Sequence, residues 1–258
     1  MEREPDNKER FSGRAEDYAR YRPHYPRDTA MAMLREFGLH GPVLVADVGC
    51  GTGISSEPFL AAGCRVIGIE PNPDMRAAAA QWLKDEPLFE AREGSAEETG
   101  LESESVDLYL AGQAFHWFDI AEARAEALRI LRTPRRAVLM WNDRCSNASA
   151  FMREFSAFLE VCHKRRGTAR RPDPDGRDFD DFFGPGRWKT QEIAHERDMT
   201  EETMVGGVFS ASYSPNRGTE GAEAVAAEAK EIFARHETGG KVRMEYVTRL
   251  FYGAISDQ

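Results

Sequence analysis

The feature that most constrains this chain is the stretch Val43-Leu-Val-Ala-Asp47-Val-Gly49-Cys50-Gly51-Thr-Gly53. Val43 to Val48 is a short apolar run interrupted by Asp47, and it opens just after His40-Gly41-Pro42. That length and β-branched content read as a buried strand of a parallel sheet. Three glycines at alternate positions then permit positive φ and let a ligand approach the backbone closely. Residues 54–62 read as a helix with an apolar face, stopped by Gly63. Strand, glycine turn and helix make a nucleotide-binding arrangement. The ligand lies over the turn, near exposed N–H groups at the helix start.

The spacing narrows the ligand. A dinucleotide fingerprint runs G-x-G-x-x-G, but here the third glycine comes one residue early and Ile54 stands where the last glycine belongs. That counts against a NAD(P)-dependent reductase of Rossmann type, which stays open as an alternative. Asp47, two residues before Gly49, suits a ligand with an ammonium group better than a pyrophosphate. A second strand, Cys64 to Ile69, ends in Glu70, where a carboxylate accepts hydrogen bonds from both hydroxyls of a ribose. A cationic amino-acid end and a ribose end together point to S-adenosylmethionine. The pattern D-x-G-x-G-x-G followed by an acid closely resembles the class I S-adenosylmethionine-dependent methyltransferases. The resemblance implies an α/β, Rossmann-like, seven-stranded and mostly parallel sheet with helices on both faces and an antiparallel last strand. It implies that Asp47 and backbone groups of Gly49 and Gly51 hold the methionine end, that Glu70 holds the ribose, and that Cys50 and Gly53 also belong to the cofactor site. A protein that binds the cofactor without turnover would share these residues.

With 34 basic and 44 acidic residues the chain carries a net charge of −10. This disfavours a nucleic-acid partner, since phosphate neutralisation needs a basic face. No apolar run approaches the roughly 20 residues of a membrane helix, and the charged start Met1-Glu-Arg-Glu-Pro-Asp lacks a signal-peptide core. Four cysteines at 50, 64, 145 and 162 show no C-x-x-C spacing, so no metal site is expected. A reduced, cytoplasmic setting and a small-molecule acceptor are the expectation. The oligomeric state stays open. The 258 residues suit a single domain: an arm and helix over 11–40, a cofactor-binding core over 43–145, an insertion over 146–186 between strands five and six, and a C-terminal part over 187–258.

Along the chain, Phe11 to Pro26 is dense in aromatics and arginines. It resembles the F-x…Y-x-x-R-P-x-Y-P entry of a methyltransferase subgroup that includes the trans-aconitate methyltransferases. There the arm helps close the site, which implies roles for Tyr18, Tyr21 and Arg22 against the acceptor; an arm simply packed on the domain is the other reading. Arg27 to Phe37 reads as a helix with Met31, Leu34 and Phe37 at helical spacing. Pro71 and Met75, just past the second strand at the start of the next helix, are placed by the resemblance against the adenine. In Gly94-Ser95-Ala96-Glu97 the family often has Asp where this chain has Ser95, so Ser95, Ala96 and Glu97 are all candidates there.

The strand Ser105 to Ala111 runs into Gly112-Gln113-Ala114-Phe115-His116-Trp117-Phe118-Asp119, at the edge where open α/β sheets place their sites. This aromatic loop resembles that of the same subgroup. The resemblance implies Gln113 and Ala114 near the methionine end and His116-Trp117 facing the acceptor, with His116 either an orienting group or, for a hydroxyl or amine acceptor, a base. A helix-capping or core role for His116 stays open. The strand Ala137 to Trp141 leads to Asn142 and Arg144, and Trp141, Asn142 and Arg144 are further acceptor-side candidates. Residues 147–166 read as a helix with Phe151, Phe155, Phe158 and Leu159 on one face. The cluster His163 to Arg166 with Arg170-Arg171 reads as a solvated helix end. Strand Arg187 to Arg197, helices Thr200 to Phe209 and Ala222 to His236, and a last strand Lys241 to Tyr252 complete the reading. The resemblance to trans-aconitate methyltransferases favours a small carboxylate as acceptor, anchored by Arg22 or Arg144.

Overall fold

A computed structural model describes residues 20–166, 174–210, 215, 218–219 and 221–256. Readings that fall on residues 1–19, Tyr18 among them, and on Arg170-Arg171 lie outside the described residues. The strands are β1 (Leu44–Val48), β2 (Arg65–Ile69), β3 (Phe89–Arg92), β4 (Val106–Gly112), β5 (Leu131–Arg144), β6 (Trp188–Met199) and β7 (Val242–Ala254). They form one seven-stranded sheet in the order β3-β2-β1-β4-β5-β7-β6. The first five pair in parallel, and β7 runs antiparallel to both β5 and β6. The order reverses between β1 and β4, the switch point where such sheets open a crevice for ligands.

The helices are α1 (Asp28–Glu36), α2 (Glu57–Ala61), α3 (Pro73–Trp82), α4 (Ile120–Ile130), α5 (Ala150–Arg166), α6 (Gly176–Phe183), α7 (Glu201–Phe209) and α8 (Ala222–His236). Their starts are written in the sequence. Asn72, Asp119 and Thr200 each accept backbone N–H groups at the first turns of α3, α4 and α7, and Asp175 with Asp178 forms a capping box on α6. Among the described residues, no helix is long and apolar enough to cross a membrane.

Successive strand residues point to opposite faces, and the core divides accordingly. On one face Val48, Ile69, Tyr109, Leu139 and Trp141 pack under α4 and the three phenylalanines of α6. On the other, Val45, Val66, Leu110, Met140 and Leu250 pack under α1 and α2. A third apolar cluster joins α5, α7 and α8 to Met199, Val242, Met244 and Tyr246. These residues sit where β6 and β7 pair on past Arg144, the last residue of β5. That extension carries a wall of three helices beyond the carboxyl edge of the sheet.

Some local expectations are corrected. The helix expected over 54–62 is shorter, α2 starting at Glu57. Gly49, Gly51 and Gly53 all hold positive φ, so the chain is still turning at Ser56. Met31 is 44% exposed, so Leu34 faces inward as expected but with Ala30 and Met33 beside it in place of Met31. β5 is much longer than Ala137 to Trp141 because β7 pairs with it from Arg136 to Arg144. The 146–186 stretch divides. α5 joins the wall at the sheet edge, whereas α6 buries Phe179, Phe182 and Phe183 in the main core.

Candidate functional site

A cleft of about 290 Å³ opens over the carboxyl ends of β1, β2, β4 and β5, just below the usual range for small-molecule sites, about 300–1,000 Å³. The glycine loop forms its floor. Gly49 has φ +68°, and a Cβ there would lie 2.7 Å from the Cβ of Ala114, so only glycine lets the loop and the end of β4 meet. The loop spends some of its amides on itself. Gly49 and Cys50 N–H both donate to the Ile69 carbonyl, Gly53 N–H to the Cys50 carbonyl, and Gly51 N–H to Glu70 Oε2 at 2.9 Å. Four amides of the turn are thus already bonded, while among the described residues those of Thr52, Ile54 and Ser55 have no acceptor. No donor among the described residues is bonded to the Gly49 carbonyl. That carbonyl suits an ammonium.

Glu70 is where the second strand was expected to deliver it, 8% exposed and lining the cleft. Its two oxygens accept from Gly51 and Asn72 N–H, both at 2.9 Å. A carboxylate has about four acceptor sites, so the remaining lone pairs are free for a diol. Burial pushes its pKa up, and the two N–H bonds and Arg76 pull it back. Pro71, Asn72 and Met75 continue this wall, and Ser95, Ala96 and Glu97 complete it. Ser95 Oγ accepts from Glu98 N–H, and Glu97 Oε1 accepts from Asp119 N–H at 3.0 Å. Each thus holds a turn while facing the cleft.

Asp47 is corrected. It is fully buried and does not line the cleft; Ser55 does. Its Oδ2 accepts the hydroxyls of Ser55 and Ser56 at 2.7 and 2.6 Å, and its Oδ1 has no hydrogen-bond partner. Burial raises its pKa from 3.8 to about 6, opposed by the two serines and aided by the charge of Glu70. Thr52 lines the cleft, and its Oγ1 is buried and likewise unpartnered. An unsatisfied buried hydroxyl beside a glycine cradle and a carboxylate with spare lone pairs fits a polar, amine-bearing nucleoside. Gly53 is corrected too. It packs on α3, where a Cβ would sit 2.6 Å from Leu83, and it does not line the cleft.

At the end of β4, Gln113 and Ala114 line the cleft as expected. Gln113 holds φ +56°, rare for a non-glycine, and its Nε2 donates to the Asn142 carbonyl at 3.0 Å. The aromatic loop is a single 3-10 turn, Phe115–Trp117. Phe115 is buried in the core, Trp117 and Phe118 face the cleft, and His116 does not line it but lies against Trp117 at 4.9 Å between ring centres. The 3-10 turn sends Phe115 into the core and His116 away from the cleft, leaving Trp117 and Phe118 to face it. Trp141 is corrected for the related reason that strand neighbours alternate. It is 4% exposed, packed among Phe115, Phe179 and Phe251, while Asn142 lines the cleft.

Asn142 joins three elements. Its Nδ2 donates to the Pro23 and His24 carbonyls, both at 3.2 Å, and its Oδ1 accepts the Thr248 hydroxyl at 2.5 Å. It thereby holds the arm over the cleft, where Arg22, Pro23 and Tyr25 line the wall. Tyr21 points elsewhere, packed flush on Gly206 of α7. Arg144 lines the cleft, exposed, and among the described residues it has no ion-pair partner. Sequence reasoning missed Pro23, Tyr25, Thr52, Ile54, Ser55, Asn72, Gly112, Phe118 and Tyr246 as lining residues. Phe118 and Ser55 sit within or beside motifs already singled out; Tyr246 reaches the site only by pairing with Arg144, which no local pattern announces.

Residues 46–136 match the family model of a methyltransferase domain. An uncharacterized methyltransferase of Schizosaccharomyces pombe is 32% identical over 147 residues, 57% of either chain. One of Mycobacterium bovis is 37% identical over 131 residues, 49% of either. The matched stretch thus spans about half the length of these relatives. Among solved structures, a candidate type II methyltransferase of Anaeromyxobacter dehalogenans superposes with a TM-score of 0.66 at 24% identity, over 92% of this chain and all of that one. A candidate methyltransferase from Anabaena variabilis gives 0.61 at 19%, over 92% and 99%. These structures share the fold.

Proposed function

Because the chain carries a class I S-adenosylmethionine-dependent methyltransferase domain, we propose that it binds S-adenosylmethionine in this cleft and moves the methyl group to a small acid. The observation that carries the reading is the polarity of the cleft across the sheet. Glu70 stands at the end of β2, and Arg144 at the end of β5, three strand positions away. At about 4.8 Å per step that is roughly 14 Å, room for a nucleoside at one end and an anion at the other.

Bound S-adenosylmethionine supplies a methyl carbon on a sulfonium, whose carbon–sulfur electron pair returns to sulfur as an acceptor oxygen bonds to the carbon. The residues of the chain do the rest by binding and placement. Glu70 accepts from the ribose, Pro71 and Met75 flank the base, and the Gly49 carbonyl faces the ammonium. Trp117, Phe118 and Tyr25 offer ring faces to a cation, each worth about 0.5–2 kcal/mol. Arg144 and Arg22 hold the acceptor's charge. Holding reactants in line supplies roughly 7–11 kcal/mol in ideal cases. A carboxylate with pKa near 4 is ionised at pH 7 and needs no base, consistent with a cleft that His116 does not line.

Calorimetry with S-adenosylmethionine, its demethylated product and NAD, followed by a labelled-methyl screen of acids, phenols and amines, tests this. Binding of NAD and of neither sulfur nucleoside would overturn the cofactor; label passing only to amines or phenols would overturn the acceptor.

A further inference from the structure

Resting on that reading, we infer that the acid carries an apolar chain, which runs from the cleft into a methionine-lined seam behind Arg144. A second, smaller cavity of about 20 Å³ shares Arg22, Pro23, Arg144 and Tyr246 with the main cleft. Past these four, its walls are mostly apolar, with Phe155 and Leu159 of α5, Met199 of β6, Met204, Gly207 and Val208 of α7 and Met244 of β7, and they are completed by Tyr21 and Ser210. The three methionines are at most 2% exposed. The seam therefore has a cationic collar and a methionine-rich wall interrupted by Tyr21 and Ser210.

Its present volume suits a methylene group or two. Methionine side chains are unbranched and repack readily, so the seam can widen around a chain by moving Met199, Met204 and Met244. α7 is closed on one side and open on the other. A Cβ on Gly206 would fall 2.6 Å from the Tyr21 ring, whereas one on Gly207 would meet its nearest neighbours, Met199 Cε and the Tyr21 carbonyl, only at 3.8 Å. The collar selects the head group. Arg144 is exposed and has no ion-pair partner among the described residues, so it attracts an anion and repels an amine. The interior selects the tail. A second carboxylate carried down the chain past the Arg22–Arg144 collar would lie against methionine and phenylalanine, and an unpaired buried charge is costly. A monoacid with an apolar chain satisfies both ends.

Butanoate, octanoate and dodecanoate are titrated by calorimetry, with and without the demethylated nucleoside, alongside octylamine. Affinity should rise from butanoate to octanoate by roughly threefold to fourfold for each methylene buried, and octylamine should not bind. Gly207→Ala places a methyl in the seam at ordinary contact distance and improves the helix residue, so it should fold. It should cut octanoate affinity at least tenfold and leave butanoate and nucleoside affinities unchanged. Met204→Ala should extend the rise toward dodecanoate. Equal affinity along the series, or an octanoate gain untouched by Gly207→Ala, overturns the seam. Loss of nucleoside binding alone refutes the cofactor reading, while the chain-length trend measured without nucleoside still decides the seam.

Discussion

Asp47→Asn should flatten the pH dependence of stability. The Asp47 carboxyl is fully buried, and burial lifts its pKa from 3.8 to about 6. A raised pKa on an acid means that the folded chain holds the proton more tightly than the unfolded chain. Its contribution is fully present below about 3.8 and is lost as pH rises through about 6. At 1.36 kcal/mol per unit, the loss is about 3 kcal/mol. Asparagine has the same shape and never ionises. Its Oδ1 can still accept the two serine hydroxyls, while its amide takes the place of the unpartnered Oδ1 at a constant cost of about 1–3 kcal/mol. That constant cost shifts the whole curve, so the slope is the clean observable. Urea unfolding of both proteins should show the difference moving by about 3 kcal/mol in the variant's favour between roughly pH 3 and pH 7. A difference that does not move with pH would show that the folded carboxyl is solvated, and the burial account would be wrong.

Glu70→Gln should weaken binding of the demethylated nucleoside by roughly ten- to a hundredfold, the worth of a charge-assisted hydrogen bond; unchanged calorimetric affinity would remove Glu70 from the site. Asn142→Ala removes both bonds to the arm and leaves the Thr248 hydroxyl with His195 Nε2 at 3.2 Å as its remaining partner, at about 1–3 kcal/mol. Hydrogen exchange should quicken at His24 and Tyr25 ahead of the rest of the chain, and a purely global loss of protection would contradict the clamp. His116→Asn should keep measurable turnover and an unaltered pH profile, since the ring does not line the cleft. Loss of nearly all turnover together with an ionisation near pH 6–7 would make His116 a base.

Much of the glycine-loop side of the cleft was readable along the chain. Gly49, Gly51 and Glu70 follow directly from the ends of β1 and β2, and local strand–turn–helix chemistry places them. Asn72, Asp119 and Thr200 likewise announce their helices within a few residues. Where the reading failed, the deciding quantity was direction. Asp47 and Ser55, Trp141 and Asn142, and His116 and Trp117 are near neighbours in sequence, and in each pair only the second faces the cleft. Residue type does not say which face of a strand or turn is turned toward a ligand.

The chain's own chemistry thus determined the sheet, the glycine loop and the acid at the end of β2, because propensity, periodicity and capping act over a few residues. The tertiary structure alone decided the side of the cleft around Arg144. Tyr246 meets Arg144 across an antiparallel pair, Asn142 clamps Pro23 and His24 from more than a hundred positions away, and Met199, Met204 and Met244 converge from three elements. Contacts of that separation carry no local signature. They exist only once the core has closed and the long ends of β6 and β7 have carried their helices over the edge of the sheet.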